Sequence, residues 1–199
     1  FSPFFDSLWT SFKVFYLYIL KIVAPYQLSS DYSFNQIPII KNPFLHYEVY
    51  AGVVILVTVM YLAVKRRNTV YGLAAAMFLL TYLPVSNWFF KIGTIMGERL
   101  MYAPSLGLVI LAATLTQNLK QKTQNDKLKF KILNLSLKVF IFYFLFFILL
   151  IWYGYVIIDR NRDWATEPIL LKSGYEASPN SVVSLTSMGI IEFGNGNYA

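Results

Sequence analysis

The chain has 199 residues, of which 57% are hydrophobic, 18% aromatic and only 14% charged, and its mean hydropathy is +0.52. A soluble domain averages about 45–50% apolar and about 25% charged residues, so this composition indicates a protein whose solvent is lipid. The net charge of +7 would also fit a nucleic-acid binder, whereas the absence of cysteine excludes disulfides and cysteine-based metal sites. The positions of the basic residues decide between lipid and nucleic acid.

Five apolar runs follow one another along the chain. The first, residues 8–24, is interrupted by Lys13 and Lys21, so it is either a span with lysines near its ends or an interfacial helix. The other four are residues 49–64, 70–90, 100–116 and 139–158. The last has twenty residues without a charge, about the length that crosses a 30 Å hydrocarbon core. The sequence therefore predicts an all-α polytopic membrane helix bundle of about five spans in residues 1–158.

The basic residues are distributed unevenly between the two sides that these spans define. Loops 65–69 and 117–138 together contain nine Lys and Arg residues, whereas loops 25–48 and 91–99 contain three. By the positive-inside rule, the first pair of loops is cytoplasmic, and the second pair and everything after Asp159 are lumenal or external. The positive charge then reflects membrane topology, so we expect no nucleic-acid partner.

The composition becomes polar after the last span. Residues 159–180 predict a linker with one amphipathic helix that ends near Gly174. A second helix is predicted from Ser181 to Phe193, because Ser178-Pro179 precedes it and glycines follow it.

Few residues outside the spans suggest chemistry. His46 is the single histidine, so it cannot form a metal site with another histidine, and an interfacial role is favoured. Asp31 lies in a polar loop, where a turn or cap role and a catalytic role are both conceivable. The sequence has no glycine-rich phosphate loop and no metalloprotease or nucleophile motif, so we predict no metal site.

The pair Glu98-Arg99 is unusual because it lies at the mouth of the fourth span, where an unpaired ion is costly. One interpretation is a local ion pair or an interface anchor. The other is a guanidinium placed for the phosphate of a lipid-linked substrate, because its planar fork can bind phosphate oxygens in a bidentate manner. Lys91 could add positive charge to the same loop.

Three ordered segments resemble one known family. These are "PYQLSSDYSFNQIPII" (25–40), "LPVSNWFFKIGTIMGERLMYAPSLG" (83–107), and the stretch 161–199, in which a Trp, a Glu and a Ser-Gly precede a Pro-Asn. They are similar to the signatures of the transmembrane and tetratricopeptide-repeat-containing proteins. In that register, Gly196 and Tyr198 fall at the turn glycine of the first repeat and at the aromatic residue that follows it.

The resemblance implies a multi-pass glycosyltransferase of the GT-C type in the endoplasmic-reticulum membrane. It would transfer mannose from dolichyl phosphate mannose, its donor substrate, to Ser or Thr of lumenal proteins, with no other cofactor in this segment. Residues 1–158 would be the C-terminal part of the membrane domain, 159–180 a lumenal linker and 181–199 helix A of the first repeat. Further repeats would bind the acceptor proteins.

The resemblance also implies roles for individual residues. Arg99, with Lys91 as a weaker second, would bind the donor phosphate, and Glu98 would orient Arg99 or line the site. Tyr102 would line the same pocket or only pack the helix. Asp31 is a weaker candidate, and the catalytic acidic residues are expected upstream of Phe1.

Two other functions remain open at this point. A non-catalytic membrane-anchored scaffold, with tetratricopeptide repeats that bind lumenal partners, is the main alternative. A transporter is less well supported, because the spans contain no chain of buried acidic residues.

Overall fold

The computed structural model describes residues 3–29, 31–125 and 129–196, and its regular structure in those ranges is entirely helical. The α-helices there are α1 (Phe4–Val23), α2 (Tyr47–Lys65), α3 (Val70–Tyr82), α4 (Tyr102–Asn125), α5 (Lys129–Asp163), α6 (Glu167–Ala177) and α7 (Val182–Gly194). Short 3-10 helices lie at Pro43–Leu45, Leu83–Val85 and Glu98–Met101. The prediction of an all-α protein is confirmed for this part of the chain.

Three helical segments in the described residues are long and apolar enough to cross a membrane: Tyr47–Lys65, Glu98–Asn118 and Tyr143–Asp163. They coincide with three of the predicted spans. The apolar helix Val70–Val85 is shorter, and α1 is not among the candidates. The prediction of about five spans is therefore not confirmed, and the first predicted span, which corresponds to α1, is not among the candidates.

α1 crosses over the hairpin formed by α2 and α3. These two helices are joined by residues 66–69 and pack together, and such a short connection makes them antiparallel neighbours. Gly52 in α2 and Tyr82 in α3 are about equally far from this connection, so they lie at the same depth in the hairpin. Both are buried, and both are covered by α1.

Successive turns of α1 make these contacts. The carbonyl of Phe12 lies against the backbone of Gly52, and the rings of Phe15 and Tyr18 lie 4.9 and 6.3 Å from the ring of Tyr82. Phe12 and Tyr18 are about 9 Å apart along the helix axis. Because α1 reaches Gly52 and Tyr82 from positions about 9 Å apart along its axis, and these two residues lie at the same depth, α1 crosses over α2 and α3. The crossing lies near the open end of the hairpin. This geometry fits the interfacial alternative for residues 8–24.

The two lysines that interrupt the first apolar run are engaged at this open end. Lys13 Nζ lies 3.4 Å from Glu48 Oε1 at the start of α2, and His46 Nδ1 lies 3.7 Å from the other oxygen of that carboxylate. Lys21 donates to the backbone carbonyls of Tyr26 and Gln27. Both charges therefore have polar partners and do not face a purely apolar environment.

Three segments meet at the open end of the hairpin, and we call this side of the molecule the loop face. Segment 25–46 contacts segment 86–101 through Tyr32 N–H, which donates to Met96 O at 3.2 Å. The same segment contacts α7 through Val182 N–H, which donates to Phe34 O at 2.7 Å. The charge pattern assigned these three segments to one side of the membrane, and the structure places them together.

Two predicted boundaries are wrong. Most of the predicted loop 117–138 is helical, because α4 continues to Asn125 and α5 starts at Lys129. Its Lys, Gln and Leu residues are strong helix formers, which a reading based on charge alone overlooks. The linker helix α6 does not end near Gly174, whose carbonyl instead accepts a hydrogen bond from Ser178 Oγ at 2.8 Å.

The last helix agrees more closely with its prediction. α7 begins after Ser181, whose hydroxyl accepts the N–H of Ser184 and so forms the N-cap. Gly196 follows the helix with a φ of +82°, a conformation that suits the expected turn glycine. Tyr198 lies outside the described residues.

Candidate functional site

A cavity of about 320 Å³ opens on the loop face between α1, the start of α4 and α5. Its charged residues are Lys21, Glu98 and Arg99, and three tyrosines line it, namely Tyr18, Tyr102 and Tyr153. Ile22, Pro25, Leu28, Met101 and Ser105 complete the lining. We call it the Arg99 cavity. The predicted residues Glu98, Arg99 and Tyr102 come together here, and Lys21, Tyr18 and Tyr153 join them.

Arg99 is exposed, and its guanidinium has no hydrogen-bond or ion-pair partner among the residues that the structure describes. Glu98 and Arg99 are the first two residues of the 3-10 helix Glu98–Met101, and only Glu98 has hydrogen-bond partners in the described structure. The local ion pair between them, one of the two sequence interpretations, is not formed in the described structure. A planar cation with five unused donors at the rim of a cavity is suited to an anionic ligand.

Glu98 is held by segment 25–46. Its Oε1 accepts hydrogen bonds from the Tyr32 hydroxyl at 2.5 Å and from Ser29 N–H at 3.1 Å. Burial raises the pKa of the Tyr32 phenol, and the Glu98 carboxylate raises it further, so the proton stays on the phenol and is donated to Glu98. Glu98 thus lines the cavity in a fixed orientation and does not orient Arg99.

Lys21 supplies a second cation to this cavity. Its ammonium donates to Gln27 O at 2.7 Å and lies 5.5 Å from the centre of the Tyr32 ring. The sequence analysis treated Lys21 only as an interruption of an apolar run. Its place in the last turn of α1, four residues before Pro25, is a signal that the side chain can reach the loop.

Lys91 and Asp31 lie elsewhere. Lys91 is exposed and lines a different cavity near the start of α1, because segment 86–101 follows α1 along its length. Asp31 Oδ2 accepts Ser33 N–H at 2.8 Å, and its Oδ1 accepts the Thr94 hydroxyl at 3.0 Å. These contacts fix a turn, and Asp31 does not line the Arg99 cavity.

A cluster of buried serines connects this site to the helices α6 and α7. Ser29 Oγ and Ser178 Oγ are 2.7 Å apart, and Ser178 Oγ also lies 3.3 Å from Ser184 Oγ and 3.0 Å from Asp31 O. All three serines are at most 6% exposed. Because the N–H of Ser29 donates to Glu98 while its hydroxyl joins this cluster, one residue connects the cavity to the helical hairpin α6–α7.

Substitution of Ser178 by valine should loosen this attachment. The change removes the buried hydroxyl that lies within hydrogen-bond distance of Ser29 Oγ, Asp31 O and Gly174 O, and loss of a buried hydrogen bond costs about 1–3 kcal/mol. We expect faster amide hydrogen exchange in α6 and α7. Thr186→Val is the matched control, because Thr186 is exposed on α7 and its hydroxyl bonds only to Val182 O. Equal exchange in the two variants would contradict a stabilising role for the cluster.

The described residues contain no group of three or more His, Asp or Glu side chains that could hold a metal ion.

These features define a class: a helical membrane protein with an anion-suited cavity on the face where its loops meet. Protein O-mannosyl-transferase tmtc2 of Xenopus laevis is 32% identical over 107 residues, which cover 54% of this chain and 12% of that protein. A protein O-mannosyl-transferase of Caenorhabditis elegans is 28% identical over 192 residues, 94% of this chain and 25% of its own length. These relatives are consistently named protein O-mannosyl-transferases, and at modest identity they support membership of the chain in the family of transmembrane and tetratricopeptide-repeat-containing proteins.

Another relative extends the same comparison. Protein O-mannosyl-transferase TMTC3 of Homo sapiens is 22% identical over 175 residues, 84% of this chain and 18% of that protein. The chain thus matches a quarter or less of the length of these curated relatives. No protein-family model matches the chain, and no solved structure is significantly similar to it.

Proposed function

We propose that the chain is part of an endoplasmic-reticulum membrane glycosyltransferase that transfers mannose from dolichyl phosphate mannose to Ser or Thr of lumenal proteins. The observation that carries this proposal is the unpaired Arg99 guanidinium at the rim of an apolar and aromatic cavity. The names of the relatives, all protein O-mannosyl-transferases, support the reaction class.

The donor phosphate would bind at Arg99, with Lys21 as the second cation. Negative charge builds on the dolichyl phosphate as its bond to the sugar breaks, and preorganised cations stabilise that charge most in a site shielded from water. Glu98 Oε1 is engaged by Tyr32 and Ser29, and in the described structure Glu98 forms no ion pair that would neutralise Arg99. The apolar lining, which includes Ile22, suits the first isoprene units of the lipid.

Transfer to a hydroxyl also needs a base within hydrogen-bond reach of the acceptor. We assign no residue of this chain to that role, and we place the base in a part of the protein upstream of Phe1. In this proposal α6 and α7 lie on the lumenal side, and the repeats that continue from them bind the acceptor protein.

The donor assignment is tested by transfer assays on the protein purified from membranes. Dolichyl phosphate mannose should support labelling of a Ser- and Thr-rich acceptor peptide, whereas GDP-mannose alone should not. Labelling that needs only GDP-mannose would contradict the lipid-linked donor. Complete absence of transfer, combined with specific capture of lumenal proteins, would favour the scaffold alternative.

The proposed topology predicts opposite labelling of two single-cysteine variants in a chain without native cysteine. Lys122→Cys, in the basic segment assigned to the cytoplasm, should react with a membrane-impermeant maleimide in sealed microsomes, whose outer face is cytoplasmic. Glu176→Cys, exposed on α6, should react only after the microsomes are permeabilised. Labelling of both from one side would overturn the proposed orientation.

A further inference from the structure

A second cavity, of about 230 Å³, lies between the first half of α1 and segment 86–95. Its lining surface is mostly apolar, with Val14, Ile39 and Ile95 among its residues, and the polar side chains Ser7, Ser11, Asn87 and Lys91 interrupt this surface. It shares no lining residue with the Arg99 cavity, which lies at the other end of α1. We call it the Lys91 cavity, and the proposed donor site does not use it.

Three side chains of this cavity have unused binding capacity. Lys91 is exposed and has no ion-pair partner among the described residues. The Ser7 hydroxyl has no hydrogen-bond partner there either. The Ser11 hydroxyl, 6% exposed, donates to Ser7 O at 2.9 Å and can still accept a hydrogen bond. The cavity thus offers one cation at its mouth and two hydroxyls inside.

Aromatic side chains lie exposed beside this mouth. Phe4 and Phe89, which are 65% and 69% exposed, line an adjoining pocket together with Ser7 and Lys91. Phe90 is 74% exposed. Exposed phenylalanine rings offer a large apolar surface against which acyl chains can pack. A ligand that enters from this side would have its polar part in the cavity and its apolar chains along the rings.

We propose that the Lys91 cavity binds the headgroup of an anionic phospholipid that carries free hydroxyls, of the phosphatidylinositol class. The phosphate pairs with Lys91, and the ring hydroxyls of the headgroup hydrogen-bond to Ser7 and Ser11. Zwitterionic lipids are disfavoured because their ammonium group would lie beside the Lys91 ammonium. The proposal does not depend on the transferase reaction.

The test uses the full chain in phosphatidylcholine nanodiscs with and without phosphatidylinositol, with bound lipid counted by native mass spectrometry. We expect retention of phosphatidylinositol, and about tenfold weaker retention in Lys91→Ala, since a charge-assisted hydrogen bond is lost. Lys41→Ala, exposed on the same face, is the matched control and should retain the lipid. Ser7→Ala removes a hydroxyl without a structural partner and should reduce the preference for phosphatidylinositol over phosphatidic acid.

Unchanged retention in Lys91→Ala would overturn the proposal. Loss of the lipid in Arg99→Ala, with Lys91→Ala unaffected, would place the lipid in the Arg99 cavity instead and would also overturn it. Inositol phosphate in solution shares the headgroup chemistry. If it bound as tightly as the lipid, a soluble ligand would be the correct source and the membrane-lipid assignment would be wrong.

Discussion

Replacement of Arg99 by alanine is expected to lower mannose transfer on the order of 100-fold at limiting donor, the loss typical of one removed charge-stabilising group. The guanidinium is the unpaired cation of the Arg99 cavity, and the described structure offers no other planar donor fork there. Saturating donor should restore part of the rate if Arg99 contributes to donor binding as well as to the transition state. The measurement is the initial rate against donor concentration.

Two variants decide whether charge or geometry is responsible. Arg99→Lys keeps the charge but loses the bidentate fork, so it should recover only part of the activity. Arg67→Ala removes a cation from the connection between α2 and α3, at the opposite end of the hairpin, and should leave transfer unchanged. Normal transfer by Arg99→Ala at limiting donor would exclude Arg99 as a donor contact, while the family relationship would stand.

The part of the site that sequence could predict is contiguous in the chain. Glu98, Arg99 and Tyr102 belong to one motif at the start of a helix, so their proximity follows from local structure. Lys21 and Tyr153 enter the cavity from α1 and α5, and only the packing of those helices brings them there. Nothing in their spacing distinguishes them from other lysines and tyrosines near a membrane surface.

Lys91 illustrates the opposite error. It lies only eight residues before Arg99, but eight extended residues can span up to about 29 Å. Segment 86–101 follows α1, so Lys91 lies near the first turns of that helix and Arg99 near the last ones. Closeness in sequence therefore wrongly suggested that Lys91 and Arg99 lie close together in space. Only the contacts of α1 show that segment 86–101 runs along this helix.

The same limit applies to the fold. The long apolar runs predicted α2, α4 and the apolar part of α5, because length and hydropathy largely decide whether a helix can span a membrane. For residues 8–24, Lys13 and Lys21 left two alternatives open, a membrane span and an interfacial helix. Lys13 contacts Glu48, and Lys21 contacts carbonyls of segment 25–46, which favours the interfacial helix. The periodicity of the run contains no sign of either contact.

Substitution of Gly52 by alanine should destabilise the protein by about 1–3 kcal/mol, with the upper part of this range expected. An added Cβ would lie 2.2 Å from the Phe12 carbonyl oxygen, and both groups belong to helix backbones that cannot move independently of their helices. α1 would have to move away from α2, and Tyr18 and Lys21 would then leave the Arg99 cavity. Thermal unfolding in a mild detergent, followed with donor binding, measures both effects.

Gly154→Ala is the matched control for this variant. Gly154 lies in α5, and apart from its chain neighbours and the backbone of its own helix no described atom lies within 4 Å of the Cβ that the substitution would add. Because alanine favours a helix by about 1 kcal/mol relative to glycine, this variant should be as stable as the parent or slightly more stable. If Gly52→Ala were as stable as the parent, α1 could not pack closely against α2. The result would contradict the crossing of α1 over α2, which separates the Lys91 and Arg99 cavities. Reduced stability in Gly52→Ala alone, accompanied by weaker donor binding, would connect the position of α1 to the function of the site.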